Sequence, residues 1–355
     1  MKFITNKSLM FSSLLAIVLA ASTMACTPAA PVSQPTVNIG PSSPAATSNG
    51  SGAKPTVTTT PSNAPVAQPV VGQMVPAVVT PVAIAPIQNT AGSYANSALL
   101  VDTKWLAAHL TDQGLVVIDA RPASSYAAGH VTGAINLVPG ALDDASTTFA
   151  DTSLLKSAAD LSAIFGKAGV SDTNRIVVYS TGVDANAARI FWALEYLGHK
   201  DVHILDGGYT QWNKEGNYAV LFNNVRAAAT YTPTVNASVI ATKANELASL
   251  NNSNVVRVDS RNAADFIVKR IPNSINILMA DYLNADGTTV KSLTDLTTSL
   301  TSKGITPSKT VITNCYVGYR SSQAYFIFRL LGYNVSNYDG STTEWFADPA
   351  LPTQP

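Results

Sequence analysis

Six positions of this chain recur in order and at unchanged spacing. Asp119, Arg121, Tyr126, Val131, Ile135 and Asn136 return as Asp259, Arg261, Phe266, Ile271, Ile275 and Asn276. Further on, Asp206-Gly207 followed by Trp212 returns as Asp339-Gly340 followed by Trp345. Self-similarity at a fixed offset means a duplicated unit, here of about 125 residues, rather than one large domain. Each copy alternates strand-like and helix-like runs. LVVIDA and VVRVDS are short apolar runs that close on an Asp, as buried parallel strands do. RIVVY and TVITN each lead into a helical pattern, ARIFWALEYLG and QAYFIFRLLG. Such alternation predicts an α/β class, with a parallel sheet flanked by helices in each copy. Ligands of such sheets bind at the C-terminal edge of the strands.

The duplicated part is preceded by a different kind of sequence. Lys2 and Lys7 form a basic region, followed by the apolar run LMFSSLLAIVLAAS and then TMAC. Charge, length and the small residue before Cys26 predict a signal peptide over 1–25, too short to favour a permanent span. A cysteine directly after Ala25 resembles a bacterial lipoprotein signal, although Thr23 stands where such signals prefer Leu. Lipidation at Cys26 is therefore expected, the alternative being simple secretion. Residues 26–96 are rich in Pro, Ala, Thr, Val and Ser and almost without charge, which predicts a disordered tether. With flexible-coil statistics it would span roughly 40–50 Å. The expected domains are then 97–225 and 226–355, on an extracytoplasmic protein anchored to a bacterial membrane (its periplasmic face in a two-membrane cell).

Charge narrows the partners. Lys and Arg number 22, as do Asp and Glu, so nothing electrostatic favours nucleic acid. The histidines, at 109, 130, 199 and 203, have no ligand spacing, so neither a metal nor a cofactor is expected. The duplication already supplies a two-domain interface, and a monomer is the default.

Chemistry points to the other cysteine. Cys315 lies where the strand-like TVITN hands over to a helical stretch, a position whose backbone N–H groups and helix dipole favour a thiolate. If Cys26 is acylated, Cys315 is the mature protein's one thiol, and exported proteins seldom keep an idle thiol. The plain alternative is a buried structural cysteine. Gly318 and Arg320 beside it favour the nucleophile.

With these residues in view the chain resembles the tandem-domain rhodaneses, a family of sulfurtransferases. DARPASSYAAGHVTGAIN and LDGGYTQW are similar to the non-catalytic half. VDSRNAADF, CYVGYRSS and YDGSTTEWFADPALP are similar to the catalytic half, and the likeness covers roughly 97 to 352. The resemblance implies sulfur transfer from thiosulfate to cyanide or another thiophilic acceptor through a Cys315 persulfide. Loop residues Tyr316, Val317, Gly318 and Tyr319, with Arg320 and Arg261, would bind the donor. Successive N–H groups of the loop can curl about the sulfur as an anion-binding nest. Gly318 permits the turn, and Arg320 can pair with an oxyanion. Only four residues separate Cys315 from Arg320, one fewer than in cysteine phosphatases, which argues against a phosphate substrate.

Other readings stay open. Related enzymes use 3-mercaptopyruvate, and a persulfide carrier or binding module would need little turnover. Asp265 stands where some thiosulfate enzymes carry a basic residue. An Asp-x-Arg at a strand end, as in Asp259 and Arg261, serves equally to brace the fold. Matching the two loops places Thr181 opposite Cys315 and Asn186 opposite Arg320, so the first copy lacks both nucleophile and cation. Asp184 in that loop reads as solvated, and Trp212 and Trp345 read as core anchors.

Overall fold

The computed structural model describes residues 94–145 and 154–355. The signal segment, Cys26 and nearly all of the tether lie outside the described residues. Tyr94 is already packed, 5% exposed, with its hydroxyl donating to the Lys291 carbonyl at 2.6 Å. The folded part therefore extends at least three residues before the expected start at 97.

Two α/β copies follow, as the alternation implied. The first contains β1 (Leu100–Val101), α1 (Thr103–His109), β2 (Leu115–Asp119), α2 (Ala123–Ala127), β3 (His130–Val131), β4 (Ile135–Asn136), α3 (Ala158–Lys167), β5 (Arg175–Tyr179), α4 (Ala185–Tyr196), β6 (Val202–Leu205), α5 (Gly208–Lys214) and β7 (Ala219–Val220). The second contains β8 (Ile240–Ala241), α6 (Lys243–Ser249), β9 (Val255–Asp259), α7 (Ala263–Val268), β10 (Ser274–Asn276), α8 (Leu293–Ser302), β11 (Thr310–Asn314), α9 (Tyr319–Leu330), β12 (Asn334–Tyr338) and α10 (Ser341–Ala347). The sheets have the same parallel order, β1-β6-β5-β2-β4 and β10-β9-β11-β12-β8 read in opposite directions. Strands β3 and β7 form a separate antiparallel pair.

Alternation along each strand decides which core its residues join. Val116, Ile118, Ile176 and Val178 face the same large cluster as Val256, Val258 and Val311 of the second copy. The odd partners Leu115, Val117, Val177 and Tyr179 line a separate cluster on the outer face, with Trp212. Ile312, Tyr338 and Trp345 do the same in the second copy. Helices α4 and α9 meet at the join, where Phe191 and Phe326 touch edge to face with centroids 5.0 Å apart. Burying side chains of this size contributes about 1.5–3 kcal/mol each, which makes the two copies one cohesive body.

The chain after 225 does not pass directly into the second copy. Ala229 N–H donates to Gly166, Thr234 N–H to Leu197 and Asn236 N–H to Tyr196, all backbone carbonyls of the first. Residues 226–236 thus strap the first copy before β8 begins.

One buried pair makes stability depend on pH. Glu246 and Arg257 lie 3.2 Å apart, oxygen to nitrogen, and both are almost wholly buried. Neither Glu246 oxygen has a well-angled hydrogen bond among the described residues. Burial therefore pushes the carboxyl up to about 7 despite the pull of Arg257. The folded state then holds this proton more tightly than the unfolded chain, so stability falls as pH rises from the ordinary 4.5 through about 7. The upper bound is on the order of 3 kcal/mol. Urea midpoints for Glu246→Gln should be flatter across this window than for the parent, and an equally steep slope would remove Glu246 as its source.

Candidate active site

The Asp-x-Arg motif does the same thing in both copies. Arg121 Nε and Nη2 grip Asp119 at 2.5–3.1 Å, and Nη2 also donates to the Gly129 carbonyl. Arg261 grips Asp259 at 2.7–3.0 Å and donates to the Lys269 carbonyl. Asn136 and Asn276 then cap the turn, each giving its amide to two carbonyls of the motif. A geometry shared with the copy that lacks a cysteine is architecture. Arg261 is 3% exposed and lies behind the loop, 5.6 Å from the Tyr316 ring centre. The structure thus places it in the brace, with its Nε and Nη2 committed to Asp259 and the Lys269 carbonyl.

Cys315 directly follows β11, the central strand of its sheet, and is 1% exposed. Strand register pairs Asn314 with Asp259 and Tyr179 with Asp119. The first-copy counterpart of Cys315 is therefore Ser180, not Thr181. The loop before α4 is one residue longer than the loop before α9, so matching from the helix side shifts the assignment by one. Asp184 also differs from expectation. It is the N-cap of α4, accepting the N–H groups of Asn186 and Ala187, and burial raises its carboxyl.

The loop 315–318 is tied from several sides. Ser341 Oγ accepts N–H from Cys315 at 3.1 Å and from Gly318 at 3.2 Å. Thr342 gives its hydroxyl and its N–H to the Cys315 carbonyl. Ser322 and Asn337 both donate to the Gly318 carbonyl. Two of the loop N–H groups expected to face the sulfur are thus used to hold the loop. Those of Tyr316, Val317, Tyr319 and Arg320 have no acceptor among the described residues. Ser321, wholly buried on the first turn of α9, gives its hydroxyl to Cys315 Sγ at 3.5 Å. The helix N-terminus and these groups suit an anionic sulfur.

Gly318 has φ +81 and cannot be replaced without displacement. An added Cβ would lie 2.3 Å from Asp339 Oδ1 and 3.0 Å from Arg189 Nη1. Those two atoms belong to an ion pair that crosses between the copies. Arg189, on α4, meets Asp339 at 2.5 Å and Asp143 at 3.1 Å, with its guanidinium 4.9 Å from the Tyr319 ring centre. Burial opposes the Arg189 charge, but Asp339 and then Asp143 reverse that effect. Asp339 itself is raised by burial, against the pull of Arg189. Asp339 also accepts the Leu155 N–H, and Asp143 accepts the Tyr319 hydroxyl. Burial and that bond to Asp143 both hold the Tyr319 phenol up. The first copy, without a nucleophile of its own, therefore supplies the floor of this loop.

Around the mouth, Arg320 Nη1 reaches Asn262 Oδ1 at 3.3 Å with its guanidinium 5.7 Å from the Tyr316 ring centre. Tyr316 lies beside Asp265, whose carboxylate raises its phenol. Val317 is half-buried. Sequence reasoning did not single out Arg189, Asp143, Ser321, Ser341 or Asn262. Ser341 had a visible signal, a serine where the first copy's repeat has Gly208. No group of His, Cys, Asp and Glu placed to hold a metal occurs among the described residues, and no helix there is long and apolar enough to cross a membrane.

Comparison with known proteins gives this geometry a family. The rhodanese-like domain matches residues 102–215 and again 243–348. The thiosulfate sulfurtransferase of Pseudomonas aeruginosa is 27% identical over 273 residues, covering 74% of this chain and 98% of that protein. The sulfur carrier protein TtuD of Thermus thermophilus is 30% identical over 278 residues, covering 71% and 95%. Among solved structures, the 3-mercaptopyruvate sulfurtransferase SseA of Escherichia coli superposes with TM-score 0.63 at 23% identity, covering 68% of this chain and 98% of that one. With the match in both halves, the chain belongs to the rhodanese-like family as a tandem of two such domains.

Proposed function

We propose that this protein is a sulfurtransferase that moves sulfane sulfur from thiosulfate to a thiophilic acceptor through a persulfide on Cys315. The observation that carries the reading is the setting of that thiol. It directly follows the central strand, on a loop tied down by Ser341 and Thr342, beside uncommitted N–H groups and a hydroxyl aimed at Sγ. The similarity to the P. aeruginosa thiosulfate enzyme supports the choice of donor.

The chemistry is a double displacement. The Cys315 thiolate attacks the outer sulfur of thiosulfate. The bond between the two donor sulfurs breaks and sulfite leaves with its electron pair. The persulfide anion so formed faces the loop N–H groups, which stabilise it in a site with little water. Cyanide or another nucleophile then takes the terminal sulfur and restores the thiolate. No metal or organic cofactor is needed for either step. Arg320 at the rim would meet the sulfonate, while Tyr316 and Asp265 would make the mouth less cationic than a site built for small dianions.

Two alternatives have support of their own. The likeness to TtuD favours a persulfide carrier. The Asp265 carboxylate beside the mouth favours a less charged donor such as 3-mercaptopyruvate. Steady-state release of sulfite from thiosulfate, with cyanide as acceptor, should exceed release of pyruvate from 3-mercaptopyruvate at equal concentration. The reverse order would transfer the assignment to the second donor, and loading without turnover on either would make the protein a carrier.

The signal, Cys26 and tether support an extracytoplasmic, lipid-anchored location, with a monomer reaching out from the membrane. Intact mass of the protein isolated from a bacterial membrane should show a chain starting at Cys26 and carrying acyl groups. A start at another residue, or an unmodified Cys26, would leave simple secretion.

A further inference from the structure

We propose that Ser341 is a positioning residue for the reacting sulfur, its hydroxyl setting which loop N–H groups are left to face Cys315. The inference rests on the persulfide reading of this loop. Ser341 has φ +50, and it is one of two non-glycine residues among those described with positive φ. That conformation disfavours a side chain and persists where the surroundings repay it. What repays it here is a hydroxyl with three bonds. Oγ accepts N–H from Cys315 and Gly318 and donates to the Tyr338 carbonyl at 2.7 Å. Both ends of the four-residue loop are drawn to one oxygen, which leaves the middle N–H groups without a protein acceptor.

The first copy shows the same site without the hydroxyl. Its counterpart is Gly208, at φ +54 and in the same place after the Asp-Gly pair. There the loop lies so close that a Cβ would stand 2.5 Å from the Ser180 carbonyl oxygen and 2.8 Å from the Gly182 nitrogen. Elsewhere the two junctions agree. Tyr209 N–H donates to Ser180 and Thr210 to Thr181, just as Thr342 donates to Cys315 and Thr343 to Tyr316. At Gly208 a side chain has no room against its loop, whereas the loop that carries the thiol accommodates a buried serine there. Ser341 buries no charge and touches no outer surface, being 0% exposed. Its partners, apart from Tyr338, are all on the cysteine loop.

The test uses Ser341→Ala, which keeps the Cβ, and Ser341→Gly, which also frees the backbone. Two rates are read on the full protein at fixed pH: alkylation of Cys315 by iodoacetamide, which needs no sulfur donor, and single-turnover sulfur loading from thiosulfate followed by intact mass. Both variants are expected to lose about tenfold in each rate, as when one preorganised donor set is disturbed. The thiosulfate concentration for half-maximal loading should stay within about twofold, because Arg320 at the rim is untouched. Ser341→Gly should stay folded, its urea midpoint lowered by no more than the loss of one buried hydroxyl's bonds, since glycine is at ease at this φ. Parent rates in the folded Gly variant, or loss of rate only where the fold is lost, would overturn the proposal. Slowed alkylation in a protein whose parent never loads sulfur from any donor would leave the positioning role standing and sink the donor reading instead.

Discussion

Replacing Cys315 by Ser will reduce sulfur transfer to the uncatalysed background while leaving the fold in place. The exchange keeps the side chain's shape within a buried position whose Sγ accepts the Ser321 hydroxyl, so little packing is lost. What is lost is the nucleophile. A serine hydroxyl here has no general base within reach. Its hydrogen-bonding neighbours among the described residues are hydroxyls and backbone amides, and no histidine lies on the loop or on α9. Removal of a covalent nucleophile in a preorganised site costs on the order of 10⁴-fold or more in turnover. Sulfite release with and without cyanide reads the loss, and a urea titration reads the fold. Residual turnover above a few per cent of the parent would place the chemistry on another group.

Replacing Arg189 by Met will destabilise the protein by about 3–5 kcal/mol, the usual result of removing one partner of a buried ion pair. Asp339 would then remain in a dry site beneath the loop, its carboxylate left with the Leu155 N–H as its partner among the described residues. The same change would loosen Asp143, which holds the Tyr319 hydroxyl, so activity should fall along with stability. Adding Asp339→Asn removes the orphaned charge and should recover part of the loss. The double variant will therefore be more stable than Arg189→Met alone, a coupling that a urea double-mutant cycle measures. Strict additivity would mean that the pair across the copies contributes nothing as a pair. Because Arg189 belongs to the half without a cysteine, this is also a test of why that half is retained.

The repeat was legible because its residues do local work twice. Asp119 and Asp259 each bind the arginine two positions on, and a pairing at that range leaves a mark in sequence. The same equivalence shows that Arg261 braces its turn as Arg121 does, the bracing use that an Asp-x-Arg at a strand end also allowed. The thiol was legible from its place between an apolar strand and a helix. Arg189 was not, since it sits in ARIFW among core residues and meets Asp339 from 150 positions away in sequence. Nothing within a window of one helix encodes that partner. Ser341 reads as an ordinary turn residue until its φ and its two N–H partners are known. Asp184 could have been read correctly, because an Asp immediately before a helical pattern is an N-cap signal.

The central claim is that one thiol carries the sulfur. Protein treated with thiosulfate, freed of excess donor and digested without reductant should show one added sulfur on the peptide that contains Cys315. Cyanide should remove it and yield thiocyanate in equal amount. A protein that gains no sulfur there from thiosulfate or 3-mercaptopyruvate, although Cys315 remains reduced and the fold intact, would contradict the account.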